Sequence, residues 1–412
     1  MNRRVYLDHN ATAPLLDAAR DAMQAALSRP AGNPSSPHAF GHQSRMELER
    51  SRRDVAALFA APSHEVVFTS GGTEADNLAI QGSARAWTAA GRPPGHIVAS
   101  AVEHPAVMES CHYLETVGWR FTLLPVDGAG RVDPAELARA LSADTALVSI
   151  MAANNETGVL QPLAQIAALT RAAGVPLHVD AVQAAGRGVI EAGALGADLI
   201  SISSHKIGGP TGIGALWVRE TTPLAPVLRG GGQERRRRAG TEPVLLAAGF
   251  AAAARSVFVS AGRVAGRVAA LRDRMEQELL LRLPGLIVQG AGAARLGNTS
   301  SLTVPGVGNE TLVIRMDLAG FAISTGSACS TGATRPSHVL AAMGVRRAEA
   351  ASTIRISLGP SNTDEEIDAL VETLPAIAAD LSRGAILSRS SRPALPSLPQ
   401  GLRPSRRPRL VP

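Results

Sequence analysis

The sequence predicts an α/β fold: a mainly parallel sheet wrapped by helices on both faces, with a smaller α+β unit beside it. Three observations carry that reading. From about residue 16 to 250, short β-rich runs alternate with longer Ala-rich helical runs, the signature of crossover connections between parallel strands. From about 260 the pattern changes to a long Arg/Glu/Leu helix near 262–283, short strands, and a last helix starting near Thr363. Across the 412 residues 45% are hydrophobic and 18% charged, so a core can be built, although aromatics at 3% leave it to Ala, Val, Leu and Ile.

In chain order, residues 1–15 read as an extended arm of the smaller domain. Strands are predicted at Val66–Thr69, His96–Ser100, Ala146–Met151, Pro176–Asp180, Leu199–Ser203 and Ala215–Val218, all short and apolar. Helices are predicted at Glu74–Ala90, Leu163–Ala173 and Pro243–Ala254. The large domain is set at 16–260 and the small one at 261–383. The Pro-, Ser- and Arg-rich segment 384–412 lacks periodicity and reads as a flexible tail.

Charge and cysteine usage exclude several classes of function. The net charge is +6, but after Asp380 there are seven arginines and no acid, so the body carries 6 − 7 = −1. Nucleic-acid binding by the body is therefore not expected. The longest apolar run, Val244 to Ala254, falls well short of the roughly 20 residues that span a bilayer, and MNRRVYLDHN has no apolar core of a signal peptide. Two cysteines, Cys111 and Cys329, make no disulfide framework. The expectation is a cytoplasmic protein in a reducing compartment, without membrane contact. No zinc spacing is present; His38 and His42 are four apart but stand alone.

One composition fact is sharper. Lys206 is the single lysine among 41 basic residues. Arginine replaces lysine on most solvated surfaces, yet its guanidinium stays protonated and is no amine nucleophile. A Schiff-base lysine is a task arginine cannot take over; chance survival of one surface lysine is the other reading.

Four segments could carry chemistry. Ser70-Gly71-Gly72-Thr73-Glu74 follows a strand and opens a helix. It is either a phosphate cradle built from a capped helix start or a plain strand-to-helix turn. His178-Val179-Asp180-Ala181-Val182-Gln183 puts Asp180 at a strand's carboxyl end, where it serves as a ligand group or as a cap. Ser203-Ser204-His205-Lys206 places the lysine just past a strand, beside two hydroxyls and an imidazole, before the turn Ile207-Gly208-Gly209-Pro210. That glycine run is not a dinucleotide fingerprint, because no helix opens after it. Finally, Ser324 to Ala333 surrounds Cys329 with small residues, which suits an exposed, nucleophilic thiol, whereas Cys111 in VMESCHYL has apolar neighbours. Together these suggest pyridoxal phosphate chemistry.

With these residues in view, the chain resembles the cysteine desulfurases of the class V aminotransferase family, on the IscS/NifS side. The resemblance spans roughly residues 5–383 and is carried by LDHNATAPL (7–15), NPSSPHAFG (33–41), FTSGGTEADNLAI (68–80), EHPAV (103–107), NNETGVLQ (154–161), HVDAVQAAGR (178–187), SSHKIGGPTGIGAL (203–216), GGGQERRRRAGTEPV (230–244), STGSACSTGATRPSHVL (324–340) and STIRISLG (352–359). It implies a fold-type I homodimer that uses pyridoxal 5′-phosphate to convert L-cysteine to L-alanine and a bound persulfide. By position, Lys206 would hold the cofactor aldehyde, Asp180 would pair with its ring nitrogen and Gln183 would reach its ring oxygen. Gly72, Thr73, Ser203, Ser204 and His205 would hold the phosphate, with Thr241 reaching it from the neighbouring subunit. His104 would stack on the ring and move protons. Asn155 and Arg355 would orient the substrate carboxylate, with Asn33 nearby. Cys329 would accept the sulfur and pass it to an acceptor such as an iron–sulfur scaffold, transient iron–sulfur ligation included.

The chain departs from the family pattern in places. Arg236 stands where QERGRRAGT has glycine, so the 230–244 loop is expected to differ in shape. Gly72 and Ser204 stand where the IscS branch often has Ala and Gly, and the segment after 384 is unlike the IscS C-terminus that contacts the scaffold. The longer loop around Cys329 favours this branch over the SufS branch. A selenocysteine lyase and a cofactor-free assembly scaffold are the rival readings.

Overall fold

The computed structural model describes residues 4–30, 32–187, 190–326 and 337–390. The arm forms β1 (Val5–Tyr6), followed by helices α1 (Asp17–Leu27) and α2 (Ala39–Ala56). Then come β2 (Val66–Thr69), α3 (Gly72–Ala89), β3 (His96–Ser100), α4 (Pro105–Thr116), β4 (Arg120–Leu124), α5 (Pro134–Ala140), β5 (Thr145–Ser149), α6 (Leu163–Ala173), β6 (Leu177–Asp180), α7 (Ala192–Leu195), β7 (Leu199–Ser203) and β8 (Gly214–Val218). The long helix α8 (Val244–Arg282) leads to β9 (Ile287–Val288), β10 (Thr299–Thr303), α9 (Asn309–Leu318), β11 (Phe321–Ala322), α10 (His338–Ala342), α11 (Arg347–Ala350), β12 (Thr353–Ser357) and α12 (Asp364–Ser390).

Among the described residues, the main sheet has seven strands in the order β2-β8-β7-β6-β5-β3-β4. The pairs β7/β6, β6/β5, β5/β3 and β3/β4 are parallel, and only β8 runs against its two neighbours. Because β8 opposes both β2 and β7, β2 runs the same way as the parallel set. The carboxyl ends of β2, β3, β5, β6 and β7 therefore share one edge.

The continuous apolar runs follow from burial on both faces. Phe68, Val98, Val148, Ile200 and Trp217 pack on one face, against Leu48 and Val55 of α2, Ile166 of α6 and Phe250 of α8. Their chain neighbours Val67, Ile97, Leu147, Leu199 and Leu216 pack on the other, against Leu78 of α3 and Val107 and Leu114 of α4. Alternation along each strand thus divides one run between two cores. A second core joins the small antiparallel sheet β12-β10-β9 and the parallel pair β1-β11 to the later part of α8, α9 and α12, through Leu7, Met275, Leu302, Met316, Ile356 and Leu370.

Several element boundaries differ from the sequence expectation, those of β5, α8 and α12 among them. β5 ends at Ser149 rather than Met151, because the Met151 N–H goes to the Glu103 carboxylate at 2.8 Å instead of a neighbouring strand. The two helices expected at 243–254 and 262–283 are continuous as α8, but its axis breaks by 76° between Val244–Val259 and Gly262–Arg282, so the first runs five residues further than expected and the second starts where expected. The last helix continues past 383 to Ser390, into the segment expected to be tail. No single helix among the described residues is long and apolar enough to cross a membrane.

Candidate active site

A cavity of about 330 Å³ opens at the shared carboxyl edge of the main sheet. That is where ligands bind in open α/β sheets. Lys206, Asp180, His104, Thr73 and Arg355 are on its wall, as are Gly72, Asn155, Gln183, Ser203 and His205. Ten of the residues singled out in the sequence are thereby brought together from five loops and the second sheet.

Lys206 lies in a single 3-10 turn, Ser204–Ile207, directly after β7. Gly208 closes that turn at φ +81°, and a Cβ there would stand 2.6 Å from Leu16 Cγ, so glycine is required both for backbone and for space. The ammonium group donates to the carbonyls of Asn10 (2.6 Å) and Ala11 (2.8 Å) of the N-terminal arm. The arm thus supplies part of the wall, and Asn10 is itself tied in by Nδ2 bonds to Thr299 Oγ1 and Asn155 O.

Asp180 ends β6 and is buried. Burial pushes its carboxyl up to about 6, opposed by the Val182 N–H, which donates to Oδ1 at 2.9 Å, and by the Lys206 charge. A second buried carboxyl, Asp76 on α3, is raised by burial and by Asp180. His178 lies 3.6 Å from Asp76, with its ring nitrogens at Ser149 (2.8 Å) and Ser201 (2.9 Å), and burial lowers it to about 3. The imidazole is neutral, so the carboxyls at this wall lack a cation behind them. A cationic ring in the cavity would stabilise the ionised form of Asp180.

His104 is the N-cap of α4 and its Nδ1 accepts from the Ala106 N–H at 3.1 Å. This leaves the proton on Nε2 in the neutral ring. Burial, with Lys206 and His338 nearby, lowers His104 to about 4, and burial and Lys206 bring His205 to about 4 as well. The Gln183 amide is fixed in orientation: Nε2 donates to Asn10 O at 3.0 Å while Oε1 accepts from Arg187.

The α3 start completes the wall. The helix begins at Gly72, two residues before the expected Glu74, so Gly71 is the cap and Thr73 lies inside the first turn. A Cβ at Gly72 would meet Val182 Cγ2 at 2.8 Å and Ser203 Cβ at 3.6 Å, so the helix N-terminus sits directly on β7's end. First-turn N–H groups have no partner within a helix and favour an anion. Glu74 is occupied elsewhere: it accepts from Ser70 N–H at 2.7 Å and pairs with Arg238 at 2.7 Å.

Arg355, from the middle of β12, is 3% exposed. It reaches Asp8 at 2.7 Å and the Asn155 carbonyl at 3.0 Å, while its buried Nε has no hydrogen-bond partner among the described residues.

The other expected site residues are elsewhere. Ser204 is fully buried with its hydroxyl 2.1 Å from the point a Cβ on Gly209 would occupy, away from the cavity wall. Thr241 is exposed beside Gly32 and Pro34, in a separate surface hollow, and Asn33 between those two is exposed with its Oδ1 accepting from Ser35 N–H. Cys329 lies outside the described residues. Cys111 is buried on α4, and burial with Glu103 and Glu115 nearby pushes its thiol well above the usual range. Sequence reasoning from the residues missed Asp76, which reads as a helix residue of no particular kind. It also assigned no role to Asn10, although the run LDHNATAPL signalled it.

Comparison with known proteins identifies relatives over most of the chain. The chain matches the family described as Aminotransferase class-V over residues 5–370. It is 41% identical over 381 residues to cysteine desulfurase IscS of Dictyoglomus turgidum, covering 92% of this chain and 96% of that protein. It is 45% identical over 379 residues to a cysteine desulfurase of Gluconacetobacter diazotrophicus, covering 92% and 94%. A solved structure of a NifS-like protein superposes with a TM-score of 0.85 at 34% identity, over 92% of this chain and 100% of that one.

Proposed function

The chain belongs to the class-V aminotransferase family and is a pyridoxal 5′-phosphate-dependent cysteine desulfurase; on that premise we propose which of its residues do the work. The observation that carries the assignment is the sole lysine on the wall of a cavity it shares with a helix start, a buried strand-end aspartate and a buried arginine. The residues fit the cofactor: an amine for the aldehyde, the α3 N-terminus with Thr73, Ser203 and His205 for the phosphate, and Asp180 for the ring nitrogen. When bound, pyridoxal phosphate supplies the electron sink that labilises the substrate's Cα proton and its Cβ–Sγ bond.

The protein's own groups do the rest. Lys206 would hold the cofactor aldehyde, and its amine would serve as the base for the substrate's Cα proton. Before any cofactor is bound, its ammonium group donates to the arm carbonyls Asn10 O and Ala11 O. Asp180 would keep the ring nitrogen protonated. Gln183, its amide oriented by Arg187 at Oε1, would meet the ring oxygen. His104 is neutral near pH 7 with its proton on Nε2, so its ring would stack without adding a charge. Arg355 would receive the substrate carboxylate on the unpartnered Nε, with Asn155 on the same cavity wall. Ser204 supports the Lys206 turn.

The sulfur step balances without an external oxidant. The Cys329 thiolate attacks the substrate Sγ, and the Cβ–Sγ bond breaks with its electron pair left on carbon. Carbon takes up a proton to become the alanine methyl group, and the sulfur leaves as a persulfide on Cys329. The proposal extends to a homodimer in which Thr241 serves the neighbouring subunit's phosphate and Asn33 its substrate carboxylate. The supporting observation is that both are exposed and away from their own chain's cavity. Delivery to an iron–sulfur scaffold in the cytoplasm is the proposed use, supported by the IscS names of relatives.

The test is the purified protein's visible spectrum before and after L-cysteine, with alanine quantified. Cys329→Ser should keep the cofactor absorbance and its response to cysteine while losing persulfide and turnover. Full alanine production by that variant would refute the role of Cys329.

A further inference from the structure

The turn that supplies Asn155 to the cavity also holds a carboxylate to which the reaction gives no task. Glu156 is 3% exposed. Its backbone is fixed by Asn154, whose Oδ1 accepts the N–H groups of Glu156 (2.9 Å) and Thr157 (3.0 Å) and the Thr157 hydroxyl (3.2 Å). Asn154 Nδ2 in turn donates to Val102 O at 3.0 Å, beside the start of α4.

The Glu156 side chain meets both ends of the segment that carries Cys329. Ser337 Oγ donates to Glu156 Oε2 at 2.6 Å. On the other side, a Cβ at Gly326 would stand 3.3 Å from the same oxygen. Residues 326 and 337 are the described residues that flank 327–336. Both ends are also held by cavity neighbours: the Arg355 guanidinium Nη1 donates to the Gly326 carbonyl at 3.5 Å, the Arg355 and Ser324 backbones exchange hydrogen bonds at 2.7 and 3.1 Å, and His338 Nε2 lies 2.8 Å from Glu103 O. Burial raises the Glu156 carboxyl, opposed by the Ser337 hydroxyl and by His338 and Arg355. An apolar side chain would fill this space without a desolvation cost, so the carboxylate is retained for its polar contact.

We infer that Glu156 is a positioning residue for sulfur transfer, tying residues 326 and 337 to the Asn155 wall so that the segment bearing Cys329 starts and ends at the cavity. The inference rests on Cys329 being the sulfur acceptor. It does not make Glu156 a catalytic residue, since the carboxylate touches the chain ends and no reacting atom.

The experiment uses the cofactor-loaded enzyme with Glu156→Ala, Glu156→Gln and Ser337→Ala, and Cys329→Ser as control. Three quantities are read: the visible spectrum and its change on adding L-cysteine, the single-turnover rate of persulfide formation at residue 329 by mass spectrometry after alkylation, and the thermal midpoint. Glu156→Ala should keep the spectrum and its half-saturating cysteine concentration while persulfide formation slows by about tenfold or more. Glu156→Gln keeps an acceptor oxygen for Ser337 and should recover most of the rate. Ser337→Ala should match Glu156→Ala, and the double variant should be no slower than either; should Glu156→Ala not fold, Ser337→Ala carries the same expectation alone. Persulfide formation at the wild-type rate would overturn the inference. So would loss of the cysteine response together with the rate, or additive effects of the pair. Full turnover by Cys329→Ser would instead sink the acceptor assignment, and this inference with it.

Discussion

At the scale of single residues, the chemistry depends on what one side chain can do that its replacement cannot. Lys206 donates to two carbonyls, Asn10 O and Ala11 O, and arginine could donate to both. Arginine cannot condense with an aldehyde at neutral pH. Lys206→Arg should therefore leave the thermal midpoint near wild type while abolishing the visible absorbance, alanine formation and the label that borohydride leaves at residue 206. Retained absorbance would remove the lysine from its role. Glu103 gives the second prediction. It is buried behind His104, accepts from the Ser100 hydroxyl at 2.5 Å and the Met151 N–H at 2.8 Å, and burial raises it to about 8 from 4.5. A carboxyl raised in the fold contributes stability fully below its unfolded value, and that contribution is lost as pH rises from about 4.5 through about 8. Glu103→Gln cannot titrate, so it should flatten this decline in urea unfolding by on the order of 2–4 kcal/mol between pH 5 and 9. An unchanged slope would mean that Glu103 ionises in the fold as it does in solution.

At the scale of elements, legibility depended on whether a segment's neighbours are close in sequence. β2, β3, β7 and α6 follow the predicted ranges, because a buried strand or an amphipathic helix writes its pattern into its own residues. Lys206 and Asp180 were legible for the same reason: each follows an apolar run that ends at the ligand-binding edge. Asp76 was not, since its burial depends on packing against Asp180 and His178 from a strand 100 residues away. The loop at 230–244 was legible only as a departure, and the structure gives it physical form. Glu234, Arg235 and Arg236 all have positive φ, at +46°, +55° and +63°. The turn is held in that conformation by Glu234, which forms a buried two-pronged pair with Arg52 (2.5 and 2.9 Å) and accepts from Phe68 N–H on β2 at 2.9 Å. At position 236, the family's usual glycine would take φ +63° with no Cβ clash. A non-glycine residue there costs roughly 1–2 kcal/mol, partly offset because glycine loses more chain entropy on folding. Arg236→Gly should raise stability by up to about 1 kcal/mol in thermal unfolding. A clear loss would mean that the arginine side chain makes a contact worth more than the strain it imposes.

At the scale of the whole molecule, the cavity is completed by parts that no local pattern connects. Asn10 comes from the arm, Arg355 from the second sheet and Lys206 from the main sheet, so the arm, pairing as β1 with β11, holds the two sheets around the site. Thr241 lines an exposed hollow instead, and Asn33 is exposed between Gly32 and Pro34 of its wall; the proposed homodimer assigns both to the neighbour. Mixed dimers decide this. Lys206→Ala leaves a chain with an intact Thr241, and Thr241→Ala leaves one with an intact Lys206. If Thr241 acts across the interface, a hybrid of the two has one site with wild-type lysine and wild-type threonine. If it acts within its own chain, every site in the hybrid lacks one of them. Random pairing of equal amounts makes half the dimers hybrid, each with one of its two sites intact. Co-expression should then restore about a quarter of wild-type turnover beyond what residual Thr241→Ala sites supply. Recovery no greater than the sum of the two separate variants would place Thr241 outside the neighbour's site, and the hollow would then need another explanation.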